Sequence, residues 1–487
     1  MSSSHTSTTR SEDKVPFIHM MAYGSGAFVN NLLSGALGAL MAILNLGLGM
    51  NPALVGLLAS IPRLFDAFTD PLIGYASDNT QTRWGRRRPY IFIGAILVGL
   101  CFMALWQLPA GQSESFYFWY FLIGSLFFFL AYTIFITPWV ALGYELTPDY
   151  NERTKLMGTQ NFIGQIAYFI PPWLLLLTQN ERFFSDMREG AAGVSIGIGF
   201  IVILFGLVPA IILRERSIQN VTSTAIEKKS IGETISVNFK KFIQGFVQTL
   251  RFRPFLKLCL ATFLIFNGFI LIAAFQTYVA IYYLYDGDKV EGAKIMGYIG
   301  TITTFATFGV IAFVTWLATK VGKIRAFTIA TTISIFGYLL KWPCYNPEMP
   351  LLILIPAPLL AFSLGGLFTL MPAMIADVVD LDELETGERR EGMFGSIFWW
   401  VVKLGLTAAL AGGGFLLNAT GFDVALDGDQ SDRTLFLLRI FDVFIPALAS
   451  VIAILAVASF GMSPEKAAVV RQELEKRRGV LQTQMAG

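Results

Sequence analysis

Apolar runs long enough to cross a lipid bilayer alternate with short polar breaks along almost the whole chain. About twelve such runs can be counted, each roughly 20 residues or longer, which is the length that a bilayer-spanning helix needs. Hydrophobic residues make up 54% of the 487 residues and charged residues only 14%, a composition typical of integral membrane proteins. The sequence therefore predicts an all-α membrane protein whose spans have their approximate cores at residues 17–47, 52–77, 90–108, 116–146, 156–177, 194–213, 255–285, 293–316, 324–342, 351–376, 394–417 and 435–460.

The longest polar break between these runs, residues 214–253, divides them into two sets of six. Two sets of six spans around a long cytoplasmic loop are typical of secondary transporters with two related halves and a substrate site near the bilayer midplane between them. We predict a disordered cytoplasmic tail (1–16), an N-terminal six-helix bundle (17–213), a cytoplasmic central loop (214–253), a C-terminal six-helix bundle (254–460) and a cytoplasmic C-terminal tail (461–487).

Lysine and arginine residues are unevenly distributed between the predicted loops. They cluster in every second loop and in the C-terminal tail, for example at Arg83, Arg153 and Lys323, whereas the alternate loops carry acids such as Asp286 and Asp423. Cytoplasmic loops of membrane proteins carry an excess of Lys and Arg. We therefore expect a multi-pass protein of the plasma membrane, the inner membrane in a bacterium, with both termini in the cytoplasm.

Two carboxylates, Asp66 and Asp70, interrupt the second apolar run. A carboxylate near the middle of a spanning helix costs about 2.5–3.5 kcal/mol on insertion scales, so it needs a partner, a water-filled cavity or a bound cation. The spacing of four places both acids on one helix face, one turn apart, where their charges repel each other. Because Na⁺, Li⁺ or a proton would relieve this repulsion, we interpret the pair as a cation site, with Na⁺ as the candidate metal. The alternative is that both acids pair with basic residues of neighbouring helices and only hold the bundle together.

The sequence offers little material for catalysis or for a tightly bound cofactor. The three cysteines, Cys101, Cys259 and Cys344, lie far apart in or beside apolar runs and indicate neither disulfides nor a metal site. The two histidines are His5 and His19, and no HExxH or P-loop pattern is present. We expect no enzyme activity, no cofactor other than a coupling cation, H⁺ or Na⁺, and no nucleic-acid partner.

Several motifs spread over both halves resemble one family of transporters. The loop after the second run is similar to the loop signature of the major facilitator superfamily at Gly74, Asp78, Arg83, Gly85, Arg86 and Arg87. The segments DAFTDP, AYTIFITPW, ELTPDYNERT, DVVDLDELETGERREG and VVK resemble the glycoside-pentoside-hexuronide cation symporters of that superfamily. This resemblance implies a major facilitator fold with about twelve spans in two bundles, and alternating-access symport of a sugar with H⁺, Na⁺ or Li⁺.

The resemblance also implies roles for individual residues. The family's cation site would consist of Asp66, Asp70 and Thr133, with Thr69 where the family's pattern has asparagine, and Lys403 would face the same cavity. The alternatives are a back-bond of each threonine to its own helix, and a fixed ion pair or a snorkelling side chain for the lysine. A cytoplasmic gate of salt bridges would use four charged side chains, which could equally form a solvated loop surface: Arg153, Asp377, Arg389 and Glu391.

The sugar site departs from the family's pattern, because Asn31, Ile136 and Asn161 stand where charged residues would bind the sugar. Amides donate and accept hydrogen bonds, and flat rings can cover an apolar sugar face, so a neutral or acidic glycoside remains the expected substrate of a monomeric transporter. The alternatives are a lysolipid or other amphiphile as substrate, and a membrane sensor that has lost transport. The candidate substrate residues, each of which could instead bridge helices, are Asn30, Asn31, Tyr132, Thr137, Asn161, Gln165, Asn267, Gln276, Phe368, Trp399 and Trp400.

Overall fold

The computed structural model describes most of the chain between the N-terminal tail and the C-terminal tail. The described residues are 14–80, 82–147, 150–215, 249, 251–387, 391–462, 465–467, 469–470, 472–474 and 476. Every regular element among these residues is helical. The prediction of an all-α chain is therefore confirmed.

Seven α-helices follow one another in the first part of the chain. They are α1 (Phe17–Leu46), α2 (Pro52–Asn79), α3 (Arg88–Leu105), α4 (Glu114–Glu145), α5 (Tyr150–Ile166), α6 (Pro171–Leu177) and α7 (Met187–Ile212). A 3-10 turn, Ala167–Phe169, joins α5 to α6, and together these three pieces form one broken span.

Six further α-helices lie within the described part of residues 251–462. They are α8 (Arg253–Tyr278), α9 (Lys289–Val321), α10 (Lys323–Cys344), α11 (Ala357–Thr386), α12 (Glu391–Ala419) and α13 (Asp432–Ala458). A π-helical segment, Val279–Leu284, continues α8, and 3-10 turns lie at Pro350–Leu354 and Val424–Leu426.

Ten helical segments among the described residues are long and apolar enough to cross a membrane. The two other predicted spans correspond to α2 and to the broken span α5–α6. The predicted fifth span, 156–177, differs from the structure because the helix begins at Tyr150 and is interrupted before Pro171. Pro171 and Pro172 have no backbone N–H to donate, so two successive hydrogen bonds to the preceding turn are lost, which favours a break at this point.

Polar caps mark where several helices begin. The Asn51 side chain accepts from the backbone N–H of Ala53 at 2.9 Å, and the Asp186 side chain accepts from that of Glu189 at 2.7 Å. Asp288 caps α9 in the same way. These side chains satisfy first-turn N–H groups that have no partner inside the helix.

The same set of helix pairings occurs in two compact units, Met1–Glu227 and Lys228–Gly487. In the first, α1 packs against α5 and α7, α2 against α4, and α3 against α4 and α7. In the second, α8 packs against α12 and α13, α9 against α11, and α10 against α11 and α13. Each unit is therefore a six-span bundle of the same topology, and the exact domain limits given by the sequence stay a prediction.

Candidate functional site

Two threonines of α4 meet the two acids of α2. The hydroxyl of Thr133 donates to Asp66 Oδ1 at 2.7 Å, and the hydroxyl of Thr137 donates to Asp70 Oδ1 at 3.3 Å. Both pairs are separated by 67 positions in the chain, so α2 and α4 run parallel here and stay in register over one helical turn. The arrangement gives each acid its own hydroxyl donor from the neighbouring helix.

Thr69 adds a third hydroxyl beside the first of these pairs. Its Oγ1 lies 3.2 Å from Thr133 Oγ1 and also 3.2 Å from the backbone carbonyl oxygen of Asp66. Because Thr133 spends its single hydroxyl proton on the Asp66 carboxylate, Thr69 must be the donor in any bond between the two threonines. The Thr69 hydroxyl therefore lies within bonding distance of two acceptors, the carbonyl oxygen of Asp66 in its own helix and the hydroxyl of Thr133.

Burial differs between the two acids. Asp66 is 2% exposed and Thr133 is 0% exposed, whereas Asp70 is half-buried. No group of three His, Cys, Asp or Glu side chains that could hold a metal ion occurs among the residues that the structure describes. A cation held by this pair would need hydroxyl oxygens as well, and oxygen ligands of this kind fit a hard cation. Na⁺ at this site stays a prediction.

Arg63 belongs to the same helix face, one turn before Asp66. Its guanidinium carbon lies 4.7 Å from the centre of the Phe129 ring on α4. Such cation–π contacts contribute about 0.5–2 kcal/mol, more when they are desolvated. The spacing of three between Arg63 and Asp66 in the sequence already indicates a shared helix face.

Three of the candidate substrate residues in the first unit are directly connected. The Tyr132 hydroxyl donates to Asn30 Oδ1, and Asn30 Nδ2 donates to Asn31 Oδ1 at 3.0 Å. Tyr132 precedes Thr133 in the chain, so α4 presents neighbouring side chains to α1 and to α2. One helix therefore contacts both the amide pair and the acid pair.

The other candidates in the first unit lie on α5. Asn161 is exposed and Gln165 is half-buried. Between them, a Cβ atom on Gly164 would come within 2.9 Å of Asn31 Nδ2. The missing side chain at Gly164 therefore lets α5 approach the amide pair closely.

In the second unit, the polar candidates Asn267 and Gln276 make no hydrogen bond to each other among the described residues. Asn267 Nδ2 donates to the carbonyl oxygen of Phe263 at 2.7 Å, which is a bond within its own helix. Gln276 is 5% exposed, and its Nε2 has no hydrogen-bond partner among the described residues. Trp400 and Lys403 on α12 are half-buried.

An aromatic pair in the second unit presents a flat surface. The rings of Phe368 and Trp399 are stacked, with centroids 6.1 Å apart and planes 14° apart. Trp399 is 56% exposed, so part of this surface is accessible within the unit taken by itself. Faces of this kind cover the apolar side of a sugar ring or an acyl chain.

Asp377, which the sequence assigns to a cytoplasmic gate, has a partner that the sequence did not indicate. Lys323 Nζ lies 2.7 Å from both carboxylate oxygens of Asp377 and also donates to the carbonyl oxygen of Ala373 at 2.9 Å. Arg153 donates to the carbonyl oxygen of Thr147 at 3.1 Å. Two further gate residues fall outside the described part, Arg389 as a whole and Glu391 in its side chain, so the gate stays a prediction.

The loop motif of the first unit forms a matching ion-pair cluster. Arg86 and Arg87 both contact Glu145 Oε1, Arg87 at 2.7 Å. Glu145 is the last residue of α4, and Asp377 similarly lies in the last turns of its helix, α11. Gly85 has a φ of +107°, which a side chain would strain. The Gly74 backbone lies beside Thr137, and Arg83 is exposed. The side chain of Asp78 is outside the described residues.

Glu215 closes this cluster from the end of α7. Its carboxylate accepts the backbone N–H groups of Arg86, Arg87 and Arg88 at 2.8, 2.8 and 3.0 Å. A negative charge at a helix N-terminus is favourable, because the first N–H groups of α3 carry a partial positive charge. These bonds connect the α2–α3 loop and the start of α3 to the segment that follows α7.

Known proteins share both the sequence pattern and the fold. The isoprimeverose transporter of Lactiplantibacillus pentosus is 24% identical over 95% of this chain and 93% of its own length. The sodium-dependent lysophosphatidylcholine symporter 1-B of Danio rerio is 22% identical over 94% of this chain and 89% of its own. Among solved structures, a D-xylose-proton symporter matches with a TM-score of 0.64 and 13% identity, over 91% of this chain and 97% of the other.

The match to a family model covers nearly all of the described spans. Residues 22–462 match the model described as MFS/sugar transport protein. Ten apolar spans, two six-span units of the same topology and the loop cluster at Arg86 and Arg87 agree with this match. The chain therefore belongs to the MFS/sugar transport family of the major facilitator superfamily.

Proposed function

We propose that this protein is a secondary active transporter that couples the uptake of a sugar or glycoside to the downhill entry of H⁺ or Na⁺ by alternating access. The single observation that carries the coupling is the pair of acids on α2, each bonded to a threonine of α4. Membership of a sugar-transport family supports the substrate class.

The energetics of the acid pair favour a visiting cation. Each carboxylate costs about 2.5–3.5 kcal/mol to place in a spanning helix, while a hydrogen bond to a charged group returns about 1.5–3 kcal/mol. Mutual repulsion between Asp66 and Asp70 adds to the cost. A cation between them removes that repulsion, so binding is favourable without any further rearrangement of the pair.

Coupling to substrate would pass through α4. Thr133 and Tyr132 are adjacent, and they bind Asp66 on α2 and Asn30 on α1, respectively. A cation that draws on the Thr133 hydroxyl changes the position of α4 against α2, and with it the hydrogen bond to Asn30. The substrate amides and the cation are then linked through a single rigid element.

The available side chains suit a substrate with many hydroxyl groups. In the first unit, Asn30, Asn31 and Gln165 can each donate and accept hydrogen bonds. In the second unit, taken by itself, the Phe368–Trp399 pair offers a stacking face. Asn31, Ile136 and Asn161 are uncharged at the positions where the family's pattern has charged residues. We therefore propose a neutral or acidic glycoside that enters a monomeric, multi-pass plasma-membrane protein with both termini in the cytoplasm.

A second candidate function is the cation-coupled transport of an amphiphile. The similarity to a lysophosphatidylcholine symporter favours it, and the exposed face of Trp399 would suit an acyl chain as well as a sugar. The two candidates differ in what competes for uptake, since a sugar should be displaced by other sugars and an amphiphile by lysolipids.

Uptake into proteoliposomes with an imposed H⁺ or Na⁺ gradient tests the proposal. We expect a labelled glycoside to accumulate when the gradient points inward, and accumulation to stop when an ionophore dissipates it. Gradient-driven uptake of labelled lysolipid with no uptake across a glycoside panel would select the second candidate. A folded protein that moves neither class would overturn the transport proposal in favour of a membrane sensor.

A further inference from the structure

The loop between α2 and α3 carries more positive charge than its acids neutralise. Five arginines lie in this loop, at the first residue of α3 or just after α7: Arg83, Arg86, Arg87, Arg88 and Arg214. Arg86 and Arg87 share Glu145, and the carboxylate of Glu215 is occupied by backbone N–H groups. Even with Asp78 counted, the arginines exceed the acids, so an excess of positive charge remains.

Two of these arginines have no acidic partner in the described part of the chain. Arg83 and Arg214 are both exposed, and neither makes a side-chain hydrogen bond or ion pair to a described residue. Arg214 directly precedes Glu215, whose carboxylate lies 2.5 Å from the position of a Cβ atom on Gly85. Arg83 and Arg214 therefore flank one contact, that between Gly85 and Glu215.

A fixed aromatic side chain follows Arg83 in the same loop. Trp84 is 46% exposed, its ring packs edge-on against Phe92 at 5.2 Å, and the guanidinium of Arg88 lies 5.5 Å from the ring centre. Arg88 is itself held in place, because its Nε donates to the carbonyl oxygen of Ala210 at 2.8 Å at the end of α7. Trp84 and Arg88 thus have defined contacts, which a charge excess that only sets membrane topology would not require.

Exposed apolar side chains flank the charged surface. Ile93 on α3 is 53% exposed and Ile211 on α7 is 57% exposed. Cationic groups at the helix ends next to exposed aliphatic side chains match a phospholipid, with a charged headgroup above its acyl chains. Tryptophan rings prefer the level of the headgroups for the same reason.

We propose that the surface formed by Arg83, Trp84, Arg88 and Arg214 binds the headgroup of an anionic phospholipid in the cytoplasmic leaflet. This inference goes beyond transport. It rests on the proposed function only for the membrane topology, which places this surface on the cytoplasmic side. A phosphodiester accepts hydrogen bonds from guanidinium groups, and a headgroup without a cation of its own leaves the lipid with a net negative charge that complements the excess of arginine.

Native mass spectrometry of the purified full-length protein tests the proposal, with phosphatidylglycerol and phosphatidylcholine of the same acyl chains as probes. We expect wild-type protein to retain phosphatidylglycerol in preference to phosphatidylcholine. The double variant Arg83→Gln/Arg214→Gln should bind it about 25-fold more weakly, since each surface arginine contributes about fivefold. Arg182→Gln is the matched control, because Arg182 is an exposed arginine in the loop before α7 and should leave the affinity unchanged.

Three outcomes would overturn the proposal. Equal retention of the two lipids would remove the charge preference, and unchanged binding in the double variant would place the lipid elsewhere. Displacement of phosphatidylglycerol by inorganic phosphate would identify a soluble anion as the ligand instead. Trp84→Ala provides a second variant, which should weaken binding without altering charge. Because lipid retention is measured without a substrate gradient, its failure is distinguishable from failure of the transport proposal.

Discussion

The Thr133 hydroxyl donates to Asp66 Oδ1 over 2.7 Å, and neither side chain has significant contact with solvent. This bond joins α4 to α2 at the level of the acid pair, and its counterpart between Thr137 and Asp70 lies one turn further along. A carboxylate has about four lone-pair sites, so the bond from Thr133 is compatible with a cation at the same group.

Replacing Thr133 by valine should weaken cation binding. The Thr133→Val variant keeps the shape of the side chain and removes the hydroxyl, with an expected loss of about 1.5–3 kcal/mol, or roughly 10- to 100-fold in apparent cation affinity. The measurement is the cation dependence of uptake in proteoliposomes. Thr133→Ser is the matched control, because it restores the hydroxyl and should recover most of the affinity; equal behaviour of the two variants would contradict the role.

Removing either acid should abolish accumulation while the protein stays folded in the membrane. Asp66→Ala or Asp70→Ala eliminates the repulsion that a cation relieves, so the gradient no longer has a site through which to act. Concentrative uptake measures the effect, and membrane yield and thermal unfolding in detergent serve as controls. Normal accumulation by either variant would remove that acid from the coupling mechanism.

The Tyr132→Phe variant separates substrate binding from cation binding. It removes the hydroxyl that donates to Asn30 and leaves the bonds of Thr133 and Thr137 intact. We expect KM for substrate to rise about 5- to 10-fold, because losing the hydrogen bond that positions Asn30 costs about 1–1.5 kcal/mol of binding free energy. Substrate kinetics at saturating cation measure this, and an increase only in the cation requirement would show that α4 does not transmit the effect as proposed.

A buried ion pair in the second unit provides a test of stability. Lys341 Nζ lies 2.5 Å from Asp442 Oδ2, both side chains are 0% exposed, and the Tyr345 hydroxyl donates to the same oxygen. Lys341→Met should destabilise the protein by about 3–5 kcal/mol, because it leaves a buried carboxylate without its cation.

The double variant Lys341→Met/Asp442→Leu is the control for this pair. It removes both charges together, so its stability should return to within about 1–2 kcal/mol of the wild type. Thermal unfolding in detergent measures all three proteins. If the double variant were as unstable as Lys341→Met, then packing, and not the unpaired charge, would explain the loss.

Local patterns were sufficient to predict the spans and the acid pair. A bilayer offers no hydrogen-bond partners to the backbone, so long apolar runs become helices whatever they pack against. Because Asp66 and Asp70 lie in one such helix, their spacing of four places them on a common face. The break before Pro171 could also have been predicted, since the Pro-Pro pair is visible in the sequence.

Partners that lie on different helices depended on the tertiary structure. The sequence suggested Thr133 beside the acids only through a family resemblance, and it gave no indication that Lys323 pairs with Asp377 or that Lys341 pairs with Asp442. Such contacts follow from the register and rotation of packed helices, which periodicity within one helix does not encode. The sequence by itself thus determined the spans, their division into two sets and the presence of membrane-buried charge, and only the packing of the helices decided which side chains stabilise that charge.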